Sequence, residues 1–339
     1  PQMTENIRYD GSLKASVILK DLAPFVPALS RFEEPLDLNL VFSGHGKHLD
    51  CPTLRLTNHH GLMIAGEAAL SNWDAGMDMY IYGKLGNLTM TKEGINVLMT
   101  NLTGKVPPIL QRLDYIRFNG EAAGYLHDLT LTGLFHTGAG MVKTDVMMSI
   151  DEQSMSRTYS GSVASADLDL GKLLNQEKKF GKVDFNVELK GFNYKNRYPE
   201  SYIKGIISSF EYSQYQYENI MLDGVYKDGG FNGRLSMDDA NGSVQIDGNF
   251  NVAKTIPDFN LKSSVKNLRP HDLHLSDKYE NASISLGLTA DFTGKSIDDM
   301  NGRISLDSLQ LNAPDEGGCF LDNLTITAGQ VSGEKELRI

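Results

Sequence analysis

The feature that most constrains this chain is an alternation of apolar and polar residues with a period of two, interrupted by short turns. It is clearest from Tyr217 to Val252, YENIMLDGVYKDGGFNGRLSMDDANGSVQIDGNFNV, where Asp228-Gly229 and Asn241-Gly242 separate three alternating runs. A period of two places the apolar side chains of a strand on one face, and Asp-Gly and Asn-Gly pairs are typical of hairpin turns. The stretch predicts three antiparallel strands that share one apolar face.

The same alternation recurs along most of the 339 residues, and helical signals are few. An apolar sheet face must pack against another layer or curl around itself, because its contact with water is unfavourable. We therefore expect an all-β fold, an elongated and mostly antiparallel sheet that is curled lengthwise into a half-pipe, with a few short helices between strand groups. Short helices are predicted within residues 21–32, 94–113 and 168–181. The whole chain would form part of one continuous repetitive rod, with module boundaries near residues 20–34, 94–114 and 168–182.

The composition argues against several classes of protein. Apolar residues make up 40% of the chain, which is ordinary for an ordered protein. The net charge is −11 and no run of Lys or Arg occurs, so neither nucleic acid nor an anionic membrane surface is an expected partner. Because the sequence has no initiator Met, no signal peptide and no apolar run of membrane-spanning length, we interpret it as an internal piece of a longer protein.

Residues that could carry chemistry are scattered. The pairs His45/His48 and His271/His274 are each spaced three residues apart. Residues three apart on a strand face opposite sides, so either pair would need a turn to bind one metal ion. No Ser-His-Asp or Cys-His arrangement has supporting local context. We expect no enzyme activity, no catalytic residue, no metal and no cofactor.

A set of apolar residues with matching parity is predicted to line the inside of the curled sheet. Because side chains two apart on a strand point the same way, these residues would all lie on one face. The predicted lipid-binding residues are Phe185, Val187, Leu189, Ile220, Leu222, Phe231, Leu235, Met237, Val244, Ile246, Phe250, Ile284, Leu286, Leu288 and Phe292.

Glycines recur in phase with these apolar residues. Gly233 lies between Phe231 and Leu235, and Gly248 lies between Ile246 and Phe250. One interpretation is that such glycines form bends or bulges in the strands. The other is that they leave the apolar face underfilled, with gaps wide enough for an acyl chain, since a packed core would carry large side chains there.

The combined pattern resembles the TamB family, which is related to the AsmA-like proteins, in its Bacteroidetes form. The resemblance rests on long tracts of short strands with apolar-x-Gly punctuation, on the spacers DLAPFVPAL and LDLGKLL, and on the segment NGSVQIDGNFNV. It covers nearly the whole chain. The resemblance implies a periplasmic sheet folded lengthwise with an apolar interior, called a β-taco.

The resemblance also implies a function. TamB-like proteins are anchored in the inner membrane, cross the periplasm and take part in outer-membrane biogenesis. They are associated with phospholipid movement between the two membranes and with assembly of outer-membrane proteins through a TamA-like barrel. The implied partners are therefore phospholipid acyl chains on this segment and the TamA-like barrel through parts of the protein outside it.

Two other functions remain open from the sequence. A β-sandwich or adhesin-like array would pair its apolar faces into dry cores, with large side chains in place of the in-phase glycines. A carbohydrate-active enzyme on a β-solenoid would need carboxylates and aromatic residues clustered on one exposed stripe. The sequence shows no such stripe.

Overall fold

The computed structural model describes residues 7–23, 30–151, 153–154, 156–193, 200–278, 280–296, 299–314, 317–331 and 334–338. It divides into two compact units, unit 1 (residues 1–177) and unit 2 (residues 178–339). The division falls within the predicted boundary at residues 168–182.

Unit 1 is an antiparallel sheet in which β1 to β9 pair in chain order. The described strands are β1 Arg8–Ile18, β2 Pro35–His45, β3 His48–Thr57, β4 Met63–Ser71, β5 Tyr80–Thr91, β6 Tyr115–Tyr125, β7 Asp128–Thr137, β8 Gly140–Ile150, β9 Arg157–Ala166 and β10 Leu168–Asp169. The helices are α1 Lys92–Thr103, α2 Pro108–Gln111 and α3 Leu170–Leu174, with 3-10 turns at Leu19–Leu22 and Gly76–Asp78.

Unit 2 repeats this arrangement with ten further described strands, each paired antiparallel with the next. They are β11 Phe180–Asn193, β12 Glu200–Tyr212, β13 Tyr215–Lys227, β14 Gly230–Asp239, β15 Gly242–Asn251, β16 Asp258–Leu268, β17 Ser283–Thr293, β18 Asn301–Ala313, β19 Gly317–Val331 and β20 Glu334–Arg338. The predicted fold class is therefore confirmed: each unit is an all-β, open antiparallel sheet, consistent with a curled half-pipe, and the described short helices lie between strand groups of unit 1.

The predicted hairpin turns are present near their expected positions. Asp228 and Gly229 join β13 to β14 with φ values of 53° and 77°. Two successive positive φ values match the right-handed twist of the paired strands, which is why an Asp-Gly pair is favoured there. The next turn falls at Ala240 and Asn241, one residue earlier than predicted, and Gly242 already belongs to β15.

Capping residues, glycine and proline set where the helices between the strand groups begin and end. Thr91 caps α1, because its hydroxyl accepts a hydrogen bond of 3.2 Å from the Gly94 N–H, and Gly104 ends the helix at φ 79°. Helix α2 begins at Pro108 with Pro107 as its N-cap, so the predicted break near Pro107-Pro108 is present. The first helix was predicted within residues 21–32. A 3-10 turn at Leu19–Leu22 overlaps the start of this range, and residues 24–29 lie outside the described part of the chain.

One dry region of unit 2 lies at one end of its strands, under a segment that the sequence did not predict. This segment, Arg269–Ser276, is called the strap, and it follows β16. Leu273 of the strap is 0% exposed, and the Tyr217 hydroxyl donates a 2.8 Å hydrogen bond to its carbonyl oxygen. His274 Nδ1 lies 2.9 Å from the Ser213 carbonyl oxygen. The strap is thus held to the β12–β13 turn by both packing and hydrogen bonds.

Candidate functional site

The strand register of unit 2 places the predicted apolar residues in rows that run from strand to strand. Directly opposed residues of paired strands point to the same face. The first row is Val187, Gly205, Leu222, Leu235, Ile246, Ser263, Leu288, Leu306 and Leu324. Nine strands at a spacing of about 4.8 Å give this row a length of about 38 Å.

The neighbouring rows contain the other predicted residues. The second row is Phe185, Ile207, Ile220, Met237, Val244, Val265 and Leu286. The third row is Leu189, Ile203, Gly224, Gly233, Gly248, Leu261, Ala290, Ile304 and Ile326. Phe231, Phe250, Phe259 and Phe292 form the fourth, and Ile284 lies opposite Leu268 and Leu311. All fifteen predicted residues therefore share one face, called here the apolar face of unit 2.

This face is uncharged and only partly covered. None of the residues in the rows above carries a charge, and each of the fifteen predicted side chains is half-buried rather than buried. A face packed against a second layer would have most of its large side chains fully buried, as the core of a sandwich does. The apolar face of unit 2 is therefore accessible enough to contact an apolar molecule.

The opposite face of the same strands, called here the wet face, is exposed to solvent and carries paired charges. Arg234 Nε lies 3.0 Å from Asp247 Oδ2, and Lys204 Nζ lies 3.4 Å from Asp223 Oδ2. The hydrogen bond from Tyr202, together with Lys204, lowers the pKa of the Asp223 carboxyl. These carboxylates stay ionised at neutral pH, so the two faces of the sheet differ sharply in polarity.

The in-phase glycines are required by the backbone. Gly224, Gly233 and Gly248 oppose one another without a register shift, so they do not lie at bulges. Gly233 and Gly248 have φ of 155° and 140°, and a Cβ on either would lie 2.3 Å from a carbonyl oxygen of the neighbouring strand. At Gly224 the ring of Phe231 lies 2.6 Å from the position of a Cβ. These contacts favour the interpretation of the glycines as bends.

Replacing Gly233 with Ala should lower the free energy of unfolding by about 1 kcal/mol or more, because Ala is strained at this φ and its methyl group would meet backbone atoms. Gly287→Ala is the matched control in unit 2, since its Cβ would be 3.5 Å from the nearest atom and its φ lies outside the left-handed region. We expect the control to change stability by no more than about 0.5 kcal/mol. Urea unfolding of both variants measures the difference, and equal stabilities would contradict the requirement for glycine.

A groove lies at the strand ends opposite the strap. The groove has a volume of about 900 Å³ and is lined by residues of β12 to β18. Ring centroids are 4.7 Å apart for Phe259 and Phe292, and 5.8 Å apart for Phe231 and Phe250. This arrangement of four phenylalanines is called the phenylalanine row. By register its four rings lie on the apolar face, whereas most of the polar residues that line the groove lie on the wet face, among them Glu200, Asn232, Asn249, Asp258 and Asn260.

Unit 1 has comparable rows that the sequence analysis did not identify. One of them is Ala15, Leu38, Leu56, Ile64, Leu88, Phe118, Phe135, Val142 and Ser165. Leu85 and Leu88 both point to this face although they are three residues apart, because the register shifts between them. The alternation of leucines in β2 was a usable signal, but the register shifts in β3 and β5 obscured it.

Of the second histidine pair, His274 contacts the Ser213 carbonyl oxygen and His271 Nδ1 lies 3.7 Å from Asp272 Oδ1, whereas the first pair is brought together by a turn. A turn at residues 46 and 47 places His45 and His48 directly opposite each other, with ring centroids 5.3 Å apart, so the turn that the sequence argument required is present. The ring nitrogens of His48 instead contact Ser71 Oγ at 2.7 Å and Asp50 Oδ2 at 2.9 Å, on the wet face. Within the described residues, no group of three or more His, Cys, Asp or Glu side chains is placed to hold a metal ion.

In the described part of the chain, no helix has both the length and the apolar character that a membrane crossing requires. A comparison of this chain with protein-family models, with curated proteins and with solved structures returned no match.

Proposed function

We propose that this chain is a periplasmic segment of a TamB-like protein that acts in outer-membrane biogenesis. Its apolar face would carry phospholipid acyl chains between the inner and outer membranes, and its sheet would serve as a rod that supports assembly of outer-membrane proteins. The full-length protein would be anchored in the inner membrane and would reach a TamA-like barrel through other segments.

The observation that carries this proposal is the set of continuous and uncharged rows in unit 2, whose fifteen predicted side chains are half-buried. Moving a CH₂ group from water onto such a surface is favourable by about 0.8 kcal/mol. Leu222, Leu235 and Ile246 of the first row are chemically similar, so the free energy of an acyl chain changes little as it moves between these strands. A phospholipid that could not cross water alone could therefore slide along the face.

The partial burial of these side chains also distinguishes the proposed function from the alternative, a β-sandwich or adhesin-like array. Such an array would bury its apolar faces against one another, at a separation of about 10 Å between sheets. Large side chains such as Phe185, Leu235 and Ile246 would then be fully buried, whereas they are half-buried here. This difference supports the lipid-carrying function over the array.

Photo-crosslinking in cells tests the proposal directly. Leu235 and Ile246 oppose each other on the apolar face, and Ser236 and Gln245 oppose each other one residue away on the wet face. A photo-reactive residue at each of the four positions should yield phospholipid adducts at Leu235 and Ile246 and none at Ser236 or Gln245. Extraction of the adducts and mass spectrometry identify the lipid.

The paired positions make the experiment its own control, since each pair differs from the other only in the direction of its side chains. Equal labelling of both faces would indicate non-specific contact with lipid. An absence of adducts on both faces would leave the array as the better description of this segment.

A further inference from the structure

The wet face of unit 2 carries a row of three asparagines. Asn232 of β14 opposes Asn249 of β15, which opposes Asn260 of β16 in turn, and Asp291 of β17 continues the row. Directly opposed residues point to the same face, so the three amide groups and the carboxylate lie side by side. These four residues are called the asparagine row. The row extends over three strand spacings, about 14 Å.

The amide groups of the asparagine row are accessible to a ligand. All four side chains of the row are exposed, and they line the groove of about 900 Å³. Within the described part of the chain, the three amides form no hydrogen bond to other protein groups. Asn251 on the same face differs, because its Nδ2 donates to the Asp228 carbonyl oxygen and its Oδ1 accepts from two backbone N–H groups. The row thus offers three donor–acceptor pairs that the fold does not use.

The charges around the groove argue against an anionic ligand. Lys227 Nζ lies 2.8 Å from Glu200 Oε2, and Lys254 forms an ion pair with Asp258. Both lysines that line the groove are therefore paired with carboxylates, and Asp291 adds a further negative charge. An anion would be repelled by this surface. Because the three amides are uncharged, the row itself favours a neutral ligand with many hydrogen-bonding groups.

The spacing of the row selects among neutral ligands. Its amides recur at the strand spacing of about 4.8 Å. An extended peptide presents the backbone groups of one edge about 6.8 Å apart, twice its rise per residue, so it cannot match successive amides. In a β-1,4-linked glycan, each pyranose ring advances the chain by a distance close to one strand spacing. Neighbouring hydroxyl groups of a ring offer a donor and an acceptor, which an asparagine amide complements.

We propose that the asparagine row binds a neutral, extended, β-1,4-linked oligosaccharide, with one pyranose ring on each of the three asparagines. The Asp291 carboxylate would accept a hydrogen bond from a fourth ring. An amide neither takes up nor releases a proton at neutral pH, so the row would bind the glycan without cleaving it. This inference goes beyond the proposed function, because the glycan would contact the face opposite to the one that carries acyl chains.

Titration of the purified chain with cellotetraose and with chitotetraose tests the asparagine row. Both probes are neutral and β-1,4-linked, and at least one should bind with a Kd on the order of 1 mM, as exposed hydrogen bonds allow. The side-chain N–H signals of Asn232, Asn249 and Asn260 should shift in ¹⁵N NMR spectra. The signals of Asn186, which lies on the wet face outside the groove, should stay in place. Maltotetraose, whose α-linked chain is curved, should bind more weakly.

Two double variants separate the row from the rest of the wet face. Asn232→Ala/Asn249→Ala removes two adjacent amides and should weaken binding about tenfold. Gln245→Ala/Ser264→Ala is the matched control, because these residues oppose each other on the wet face of β15 and β16 outside the groove. The control should keep the affinity within about twofold. Circular dichroism establishes that both variants remain folded.

Unchanged asparagine signals at millimolar concentrations of both β-linked tetrasaccharides, or an equal loss of affinity in the two double variants, would overturn the proposal. Shifts of the same signals by triglycine in place of the tetrasaccharides would identify a peptide site and would also overturn it. The proposed function is tested separately, since lipid adducts are sought at Leu235 and Ile246 on the opposite face.

Discussion

Replacing Leu273 with Ala should lower the free energy of unfolding by about 2–5 kcal/mol, the usual cost of truncating a fully buried leucine. Leu273 is 0% exposed and anchors the strap to the ends of the unit 2 strands. The hydrogen bond from Tyr217 goes to the backbone of Leu273, so the substitution leaves it in place and removes packing alone. Urea unfolding followed by circular dichroism measures the loss.

Leu275→Ala provides the control from the same segment, because this leucine is 54% exposed. It should change stability by no more than about 0.5 kcal/mol. Equal effects of the two substitutions would show that the strap does not pack on the sheet as described. A loss confined to Leu273→Ala would establish the strap as the dry core of this end of unit 2.

The sequence predicted the apolar face best where the strands pair without irregularities. From β13 to β16 the register has no shift between Ile220 and Ser263, so parity counted within each run survives from strand to strand. Leu222, Leu235 and Ile246 were each assigned from their own run, and the register then placed them in one row. Period two is a reliable guide to the face of a strand only under this condition.

Where bulges occur, counting by parity assigns the residues beyond the bulge to the wrong face of the strand. Cys51 and Leu54 of β3 both point to the apolar side of unit 1 across a register shift, and Pro52 lies within that shift. A proline lacks the N–H that a regular ladder needs, so its presence inside a strand indicates a bulge. The position of Pro52 was therefore a signal in the sequence for a change of parity, although it does not show how many residues the shift spans.

The strap and the groove could not be predicted from periodicity. Leu273 lies in a segment without regular alternation, and its carbonyl oxygen accepts a hydrogen bond from Tyr217, which is 56 residues earlier in the chain. The phenylalanine row likewise depends on the register of four strands at once. Contacts of this kind are set by the tertiary arrangement, which local patterns do not encode.

Replacing Leu235 with Asp should block the movement of phospholipid along the apolar face. An ionised carboxylate in apolar surroundings costs several kcal/mol, and every 1.4 kcal/mol corresponds to a factor of ten in occupancy. Because Leu235 is only half-buried and water screens part of this cost, we expect a reduction of about tenfold or more. Photo-crosslinkers at Leu222 and Leu306, on either side of Leu235 in the same row, report the block. Adducts should persist at one of the two positions and fall at the other.

Ser236→Asp adds the same charge to the neighbouring residue on the wet face and should leave adducts at both positions unchanged. Leu235→Asn separates charge from shape, because it has the size of Asp but stays neutral, and it should reduce movement less than Leu235→Asp does. Thermal unfolding of all three variants establishes that each remains folded. If Ser236→Asp and Leu235→Asp gave the same adducts at Leu222 and Leu306, acyl chains would not travel along this row. The uncharged character of the face would then serve folding alone.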